Sequence, residues 1–578
     1  MKEKSILTAG LIFIILSTFS SCDINTRPMD KYSEDVIWGD PVTAQGFVND
    51  AYGSMYWMVS NDDWSDNTVV NSSRGSVVTF ISENFNSESD FGWNIYEDVR
   101  KFNKILEKVA ASDFRESDKN ILNGNAYFLR GMTYFAAARK FGRLMIVDKV
   151  MTPKDEMNLP RTKTIKETYD FIISDLKNAT KLLPADVKLG TPGKGAAYAL
   201  LAEVCLHGAA YLDDQAQRNE YYAEAIKASE ALFSMGKYSL DADFGGMFNT
   251  FAGATSSPEI ILGIYRNSKN TVIMDTWMQE LCPNMGGDKA AAGVLEKWPL
   301  DKPLEGWLER TPSQELTDAF LVVDKADGKA KKWNETAAYK NFRPNSGRQM
   351  HDAVYANRDQ RFYATIVYDH SKYFTNTVTT RRGGNVHYAS NVQQDRHMSK
   401  TGYLYRKGMY EDTWLYYNVP TNYCYPILRL GRSYLNYAEA QLRLNGAAGV
   451  SKAVEYINKT RTTHGKLPEL ASTISFKEAW DSYKLERRAE LVQENDRYWS
   501  LLRWGKADNL DVIPELNTVV HAMEISENGE SFEVIQLPTP VFSSNQRQFS
   551  KKRYLLPIPK SETIENSSLK NDQNPGWE

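Results

Sequence analysis

The stretch Asn125-Ala-Tyr-Phe-Leu-Arg-Gly-Met-Thr-Tyr-Phe-Ala-Ala-Ala-Arg-Lys-Phe-Gly142 mixes small residues with aromatic rings at steps of three and four. In an α-helix this spacing places both kinds of side chain on shared faces. Small residues let a neighbouring helix approach closely, and the rings fill the remaining gaps. The stretch therefore predicts a helix that packs against other helices.

Helical periodicity continues on both sides of this stretch. Asp40 caps a helix that opens with Pro41. Thr164 and Glu167 form a capping box, and Pro184 ends the helix after it. The predicted helices cover residues 41–55, 95–109, 169–183, 195–211, 221–233, 430–444 and 450–460, with at least one more inside 476–503. Helix pairs of about 34 to 40 residues without recurring strands are typical of a tetratricopeptide-like stack, and an irregular helical domain is the alternative.

This regular spacing is lost between about residues 239 and 425, where Gly, Asn, Asp, Pro and aromatic residues alternate and predict loops with short strands. We therefore predict a mainly α chain. Its tetratricopeptide-like helix-pair scaffold covers residues 40–238 and 426–505 and carries a large loop-rich, partly irregular insertion at about 239–425. Residues 506–578 form an irregular C-terminal segment. Because loops on a rigid scaffold carry binding groups, the insertion is the expected variable ligand-binding region.

The first 21 residues have the order of a secretion signal. Lys2 and Lys4 precede the apolar run Ile6–Phe19, and small serines come directly before Cys22. The run is too short to cross a hydrocarbon core of about 30 Å at about 1.5 Å per residue. We predict that residues 1–21 are removed and that acyl chains on Cys22 anchor the mature chain to a membrane. A short buried helix is the alternative, and Asp23 leaves the choice of membrane open.

Composition excludes several classes of function. A net charge of −4 over 578 residues does not attract nucleic acid. Cys205, Cys282 and Cys424 are too widely spaced for a disulfide framework or a metal knuckle. No His-Glu-x-x-His, Gly-x-Ser-x-Gly or phosphate-binding glycine loop is present. The sequence Asp241-Ala-Asp-Phe-Gly-Gly246 has the start of a calcium loop but lacks its final glutamate, so a turn is expected. We predict no metal, no cofactor and no catalytic residue.

Motifs from the start of the mature chain to its end resemble one known family. They are Cys22-Asp-Ile-Asn-Thr-Arg-Pro-Met-Asp30, Ser33-Glu-Asp-Val-Ile-Trp38, the segments 126–142, 169–184 and 195–206, Tyr437-Ala-Glu-Ala440, Glu486-Arg-Arg-Ala-Glu-Leu491, Arg497-Tyr-Trp-Ser-Leu-Leu-Arg-Trp-Gly505, Leu556-Pro-Ile-Pro559 and Gln573-Asn-Pro-Gly576. In this order they resemble the SusD/RagB family of nutrient-binding outer-membrane lipoproteins. Asn495 departs from the pattern because a glycine is usual there, and so does the ending Trp577-Glu578.

The resemblance implies a single SusD-like domain over residues 22–578. It also implies a lipoprotein on the outward face of the outer membrane. Such a protein captures oligosaccharides, sometimes peptides, and delivers them to a SusC-like TonB-dependent barrel transporter. Two alternatives stay open: a binding protein for peptides or glycopeptides, and an outer-membrane glycoside hydrolase.

Sugar binding requires flat rings beside polar groups, because a pyranose has apolar faces and a polar rim. We searched for aromatic residues in polar loops. The candidate glycan-binding residues are Trp64, Asp66, Asn67, Arg74, Phe91, Trp93, Asn94, Trp277, Trp298, Trp307 and Trp333. For each tryptophan the alternative is a partly buried core or lid residue. Trp499 and Trp504 fall in a scaffold helix and are expected in the core.

Glu486 and Glu490, four residues apart on a predicted helix, are the strongest candidates for a retaining glycosidase pair. Arg487, Arg488 and Arg497 surround them in the sequence. A helix that carries both signs of charge usually forms ion pairs with neighbouring helices. We therefore predict a scaffold role for this pair and no catalysis.

Overall fold

The computed structural model describes residues 33–59, 62–70, 75–284, 304–387, 398–416, 418–536 and 546–578. Helices dominate these residues, and the strands pair in antiparallel two-stranded sheets. The predicted mainly α, tetratricopeptide-like fold is confirmed. Cys22 and the predicted signal segment lie outside the described residues.

The helices and strands are numbered here along the chain. The helices are α1 (Glu34–Gly39), α2 (Pro41–Ala51), α3 (Gly75–Ile81), α4 (Tyr96–Ala110), α5 (Glu116–Phe141), α6 (Ile165–Leu182), α7 (Lys194–Ala209), α8 (Gln215–Ser234), α9 (Phe244–Asn249), α10 (Phe251–Ser256), α11 (Met278–Leu281), α12 (Gln314–Thr317), α13 (Ala337–Lys340), α14 (His351–Val354), α15 (Gln360–Thr365), α16 (Leu430–Asn445), α17 (Val450–Thr463), α18 (Phe476–Glu490), α19 (Arg497–Ala507) and α20 (Lys560–Glu565). The strands are β1 (Thr68–Val70), β2 (Ile260–Arg266), β3 (Arg310–Pro312), β4 (Val322–Val323), β5 (Ala330–Lys331), β6 (Ile366–Val367), β7 (Lys372–Tyr373), β8 (Asn376–Thr377), β9 (Leu404–Tyr405), β10 (Tyr423–Arg429), β11 (His521–Ile525) and β12 (Phe532–Gln536).

The helix starts follow the capping signals of the sequence. The Asp40 carboxylate accepts hydrogen bonds from the backbone N–H groups of Val42 and Thr43, and Pro41 occupies the first turn of α2. At α6 the Thr164 hydroxyl accepts from the N–H of Glu167 (3.2 Å) as predicted. The Glu167 carboxylate, however, accepts from the N–H of Lys163 (2.9 Å), one residue before the cap. The capping box is therefore half formed.

The helices stack in sequence. Helix α4 packs on α5, α5 on α6, α6 on α7 and α7 on α8. Helix α16 packs on α7, α8, α17 and α18, which joins the two halves of the scaffold across the insertion. Close approach depends on Gly208 in α7, because a Cβ there would lie 2.6 Å from Cδ1 of Tyr169 in α6. The small residues of the sequence therefore set the distance between helices.

The insertion contains more regular structure than its composition predicts. Helices α9 to α15 and the sheets β4–β5, β6–β9 and β7–β8 lie in it, and β2 pairs with β10 from Tyr423↔Arg266 to Arg429↔Ile260. Strands β11 and β12 pair in the C-terminal segment. Strand β10 runs directly into α16 at Leu430. Because the second strand of this sheet continues into a scaffold helix, the insertion is connected to the scaffold by backbone hydrogen bonds.

The segment 476–503 forms two helices, α18 and α19, separated by a tight turn. Asn495 in this turn has φ of +55°, in the left-handed region that favours glycine and tolerates asparagine. Its side-chain amide donates to the carbonyl of Met58 (2.7 Å) and accepts from the indole N–H of Trp499 (2.9 Å). These hydrogen bonds explain how an asparagine replaces the usual glycine.

Cys205, Cys282 and Cys424 are buried free thiols. Among the residues that the structure describes, no helix has both the length and the apolar character needed to cross a bilayer.

Candidate functional site

The early aromatic candidates belong to a cluster of packed rings. Trp64 is half-buried and stacks on Phe80, with centroids 4.0 Å apart and planes 24° apart. It also meets Tyr498 edge-on at 5.4 Å. Phe91 contacts Phe80 edge-on at 5.4 Å. These rings contact other rings of the protein, so each has lost at least part of its surface to the core.

The polar candidates beside Trp64 form internal contacts. Asp66 is 2% exposed and forms ion pairs with Arg497 and Arg488, both at 2.9 Å. Burial alone would raise the pKa of Asp66, but the two guanidinium groups outweigh it and lower the pKa to about 2. Asn67 is 1% exposed, donates to Asp62 and accepts from Arg488. Both side chains connect this loop to α18 and α19.

Other candidates are divided between core and surface. Trp93 is 1% exposed and meets Phe141 edge-on at 5.0 Å. Trp333 is 6% exposed, and its indole N–H donates to Asp318 at 2.6 Å. Asn94 is exposed, and its side chain accepts from a backbone N–H two residues later. Arg74 and Trp298 lie outside the described residues.

Trp277 and Trp307 are half-buried and lie on neighbouring segments. The N–H of Trp307 donates to the carbonyl of Gln279 (2.7 Å), and the next residue donates to that of Cys282 (3.0 Å). Gly306 is required for this approach, because a Cβ there would lie 1.7 Å from the Cys282 carbonyl oxygen. The structure thus brings two of the predicted rings to adjacent chain segments.

A third segment adds two rings that the sequence analysis missed. Trp414 is 38% exposed and stacks on Tyr416, with centroids 5.4 Å apart and planes 13° apart. The N–H of Glu305 donates to the carbonyl of Leu415 (2.9 Å), which places this pair beside the segment of Trp307. The rings could have been found by the criterion used for the other tryptophans, since Asp412 and Thr413 precede Trp414 in an irregular region. We call Trp277, Trp307, Trp414 and Tyr416 the aromatic surface.

The aromatic surface has the chemistry of a shallow carbohydrate site. The near-parallel pair presents apolar ring area to solvent, where the C–H face of a sugar can stack. Asp412 is exposed beside it, and Glu305 follows on the adjacent segment. Carboxylate oxygens accept hydrogen bonds, which suits the hydroxyl rim of a sugar.

Buried charges of the insertion pair with buried charges of the scaffold in a set that we call the buried ion network. Its members are Glu259, Asp359, Arg361, Lys407, Arg429, His464, Glu486, Glu490 and Glu494. Arg361 contacts Glu486 and Glu490, the second at 2.7 Å, and Arg429 contacts Glu490 at 2.6 Å. The predicted scaffold role of Glu486 and Glu490 is confirmed, because both carboxylates are fully buried in ion pairs with arginines.

His464 occupies the centre of this network. Its Nδ1 lies 2.7 Å from Glu490, and its Nε2 lies 3.1 Å from Glu259. Burial lowers the pKa of His464, but the two carboxylates outweigh it and raise the pKa to about 9. The three side chains have the spacing of a metal site. A metal ligand must be a neutral imidazole, whereas the raised pKa favours the protonated ring, which pairs with both carboxylates.

Comparison with known proteins agrees with the fold. A sequence model described as the SusD family matches residues 258–577, and one described as starch-binding associating with outer membrane matches residues 40–206. The chain is 23% identical to SusD-like protein P38 of Formosa agariphila over 536 residues, 88% of this chain and 92% of that protein.

Solved structures give the same result. A SusD-like protein from Bacteroides fragilis superposes with a TM-score of 0.75 at 26% identity, covering 95% of this chain and 100% of that one. A SusD-like carbohydrate-binding protein from the same organism has a TM-score of 0.71 at 19% identity, covering 92% of this chain and 100% of that one. The second likeness shows a shared fold.

The raised pKa of His464 predicts a pH dependence of stability. Between pH 6.5 and 9 the folded protein keeps a proton on His464 that the unfolded chain has lost. The stabilisation from His464 is thus complete below pH 6.5 and is lost as the pH rises through 9, at up to about 1.4 kcal/mol per pH unit. Urea unfolding of the native protein and His464→Gln should give a difference in free energy that shrinks over this range. A constant difference would contradict the assignment.

Proposed function

Because the chain belongs to the SusD family, we propose that it is a non-catalytic surface lipoprotein that captures oligosaccharides for import. The bound glycan is delivered to a SusC-like TonB-dependent transporter in the outer membrane. Residues 22–578 act as one SusD-like domain, in which the insertion at about 239–425 binds ligand. Two similarities support this proposal. One matched family is described as starch-binding and associating with the outer membrane, and one similar solved structure is described as carbohydrate-binding.

The observation that carries the proposal is the pair of exposed Trp414 and half-buried Tyr416, stacked on each other on the insertion. A tryptophan ring exposed to water has an unfavourable hydration free energy. A sugar face stacked on the ring removes part of this cost. Covering roughly 50 Å² of ring at about 25 cal/mol per Å² contributes about 1 kcal/mol. Binding by a few such contacts is weak and reversible, which suits a protein that must release its ligand to a transporter.

Of the residues predicted from sequence, we propose Trp277 and Trp307 as further contacts, because they flank the stacked pair on adjacent segments. Trp298 stays a prediction from sequence. The cluster around Trp64, with Asp66 and Asn67, is better placed to connect the early loop to α18 and α19 than to contact a glycan.

Trp414→Ala should weaken glycan binding about five- to tenfold, the equivalent of about 1 kcal/mol. The measurement is native affinity electrophoresis on plant, host and microbial polysaccharides, followed by calorimetry with the ligand that retards the protein. Phe476→Ala is the matched control, because this ring is 39% exposed on scaffold helix α18. It should bind like the native protein.

Three results would contradict the proposal. Retention that is unchanged by Trp414→Ala would place the glycan elsewhere. Binding to peptides with no binding to any glycan would favour a peptide-binding protein of the same transport system. New reducing ends released by the purified protein would favour a glycoside hydrolase.

We also propose that lipid on Cys22 anchors the chain at the cell surface. Two or more acyl chains give stable membrane attachment, whereas one gives marginal binding. Cys22→Ser should move the protein from the membrane fraction to the soluble fraction, and protease added to whole cells should digest the native protein. Retention of Cys22→Ser in the membrane fraction would contradict the anchor.

A further inference from the structure

The chain segments that carry the aromatic surface are acidic. Three segments carry its rings: residues 272–284, 304–309 and 411–416. Their charged side chains are Asp275, Glu280, Glu305, Glu309, Glu411 and Asp412, and the sequence of these segments contains no lysine or arginine. Residues 285–303 connect two of the segments and carry three lysines and three acidic residues, so they add no net charge.

Three basic side chains next to these segments form ion pairs with carboxylates of the protein. Arg310 is 1% exposed and forms ion pairs with Glu280 and a second buried carboxylate. The guanidinium of Arg406 contacts Glu411 at 2.7 Å. Lys407 is 2% exposed and belongs to the buried ion network. Each of these three cations is already paired with a carboxylate of the protein.

Two acidic groups lie close to the stacked pair. Asp412 is exposed two residues before Trp414, and its carboxylate accepts a hydrogen bond from the Thr413 hydroxyl at 3.2 Å. Glu305 is joined through its backbone N–H to Leu415, between the two rings. Asp412 and Glu305 are thus next to the Trp414–Tyr416 pair, one along the chain and the other through a backbone hydrogen bond.

These carboxylates discriminate between sugars by charge. An ionised carboxylate only accepts hydrogen bonds, and every hydroxyl of a neutral sugar can donate one. The carboxylate of a uronic acid or the sulfate group of a sulfated sugar has no proton to donate at neutral pH, and it is repelled by the like charge of Asp412 and Glu305. We infer that the ligand of the aromatic surface is an uncharged oligosaccharide and that Asp412 and Glu305 exclude uronic-acid and sulfated glycans. This inference rests on the proposed function.

The inference is tested with three proteins: the native protein, Trp414→Ala and the double variant Asp412→Asn/Glu305→Gln. Each is measured in EDTA against neutral polysaccharides (starch, galactomannan, xyloglucan) and against anionic ones (polygalacturonate, alginate, chondroitin sulfate). Native protein should bind at least one neutral glycan at least tenfold more tightly than any anionic one. Raising NaCl from 0.05 to 0.3 M should change the neutral affinity less than twofold. In the double variant, the ratio of the affinity for the neutral glycan to the affinity for an anionic one should fall at least threefold.

Contrary outcomes separate the two proposals. Anionic binding that is tighter than neutral binding and is lost in Trp414→Ala would overturn the inference and leave the glycan-binding function standing. Unchanged discrimination in the double variant would also overturn it, because the carboxylates would then have no role. Absence of Trp414-dependent binding to any glycan would contradict the proposed function itself.

Discussion

The buried ion network is the constraint on which the rest of the structure depends. Arg429, at the end of β10, contacts Glu259, Glu490 and Glu494, and Arg361 in α15 contacts the acids of α18. Charges taken out of water are costly, and removing one partner of a buried pair costs about 3–5 kcal/mol because the other stays uncompensated. Such a network forms only when every element that contributes to it is in place.

The network determines how the insertion is presented. It connects the ends of β2 and β10, α15, the C-terminal end of α17 and α18, so it joins the insertion to scaffold helices at several points. Trp277 packs edge-on against Tyr425 of β10 at 4.6 Å, directly on this sheet. Rings that pack on this sheet hold their positions before a ligand binds, so binding loses little conformational entropy. A weak site can therefore retain selectivity.

The sequence predicted the helices well because their signals are local. Caps such as Asp40 and apolar residues at three- and four-residue steps lie within one helix, and the structure confirms them. Contacts between residues that are far apart in the sequence give no such local signal. Asp66 pairs with Arg497, 431 positions away in the chain. A loop whose composition suggests a sugar site is therefore connected to a scaffold helix by a buried ion pair. The sequence shows both residues but not that they meet.

The aromatic surface was predicted only in part for the same reason. Trp277 and Trp307 were chosen by residue type, but hydrogen bonds between distant segments bring them beside Trp414 and Tyr416. An irregular region has neither helical nor strand periodicity, so its sequence does not show which rings face solvent. Glu486 and Glu490 were assigned correctly because arginines are adjacent in the sequence, although their main partner, Arg361, lies more than a hundred residues away.

The most direct test of this account is hydrogen–deuterium exchange on Glu490→Gln, with the exposed Glu455→Gln in α17 as control. If the network fixes the insertion, exchange in Glu490→Gln should accelerate in β10 and in the three ring-bearing segments, while α5, α6 and α7 keep native protection. The control should match the native protein throughout. Native protection of the ring-bearing segments in Glu490→Gln would show that the aromatic surface does not depend on the buried charges.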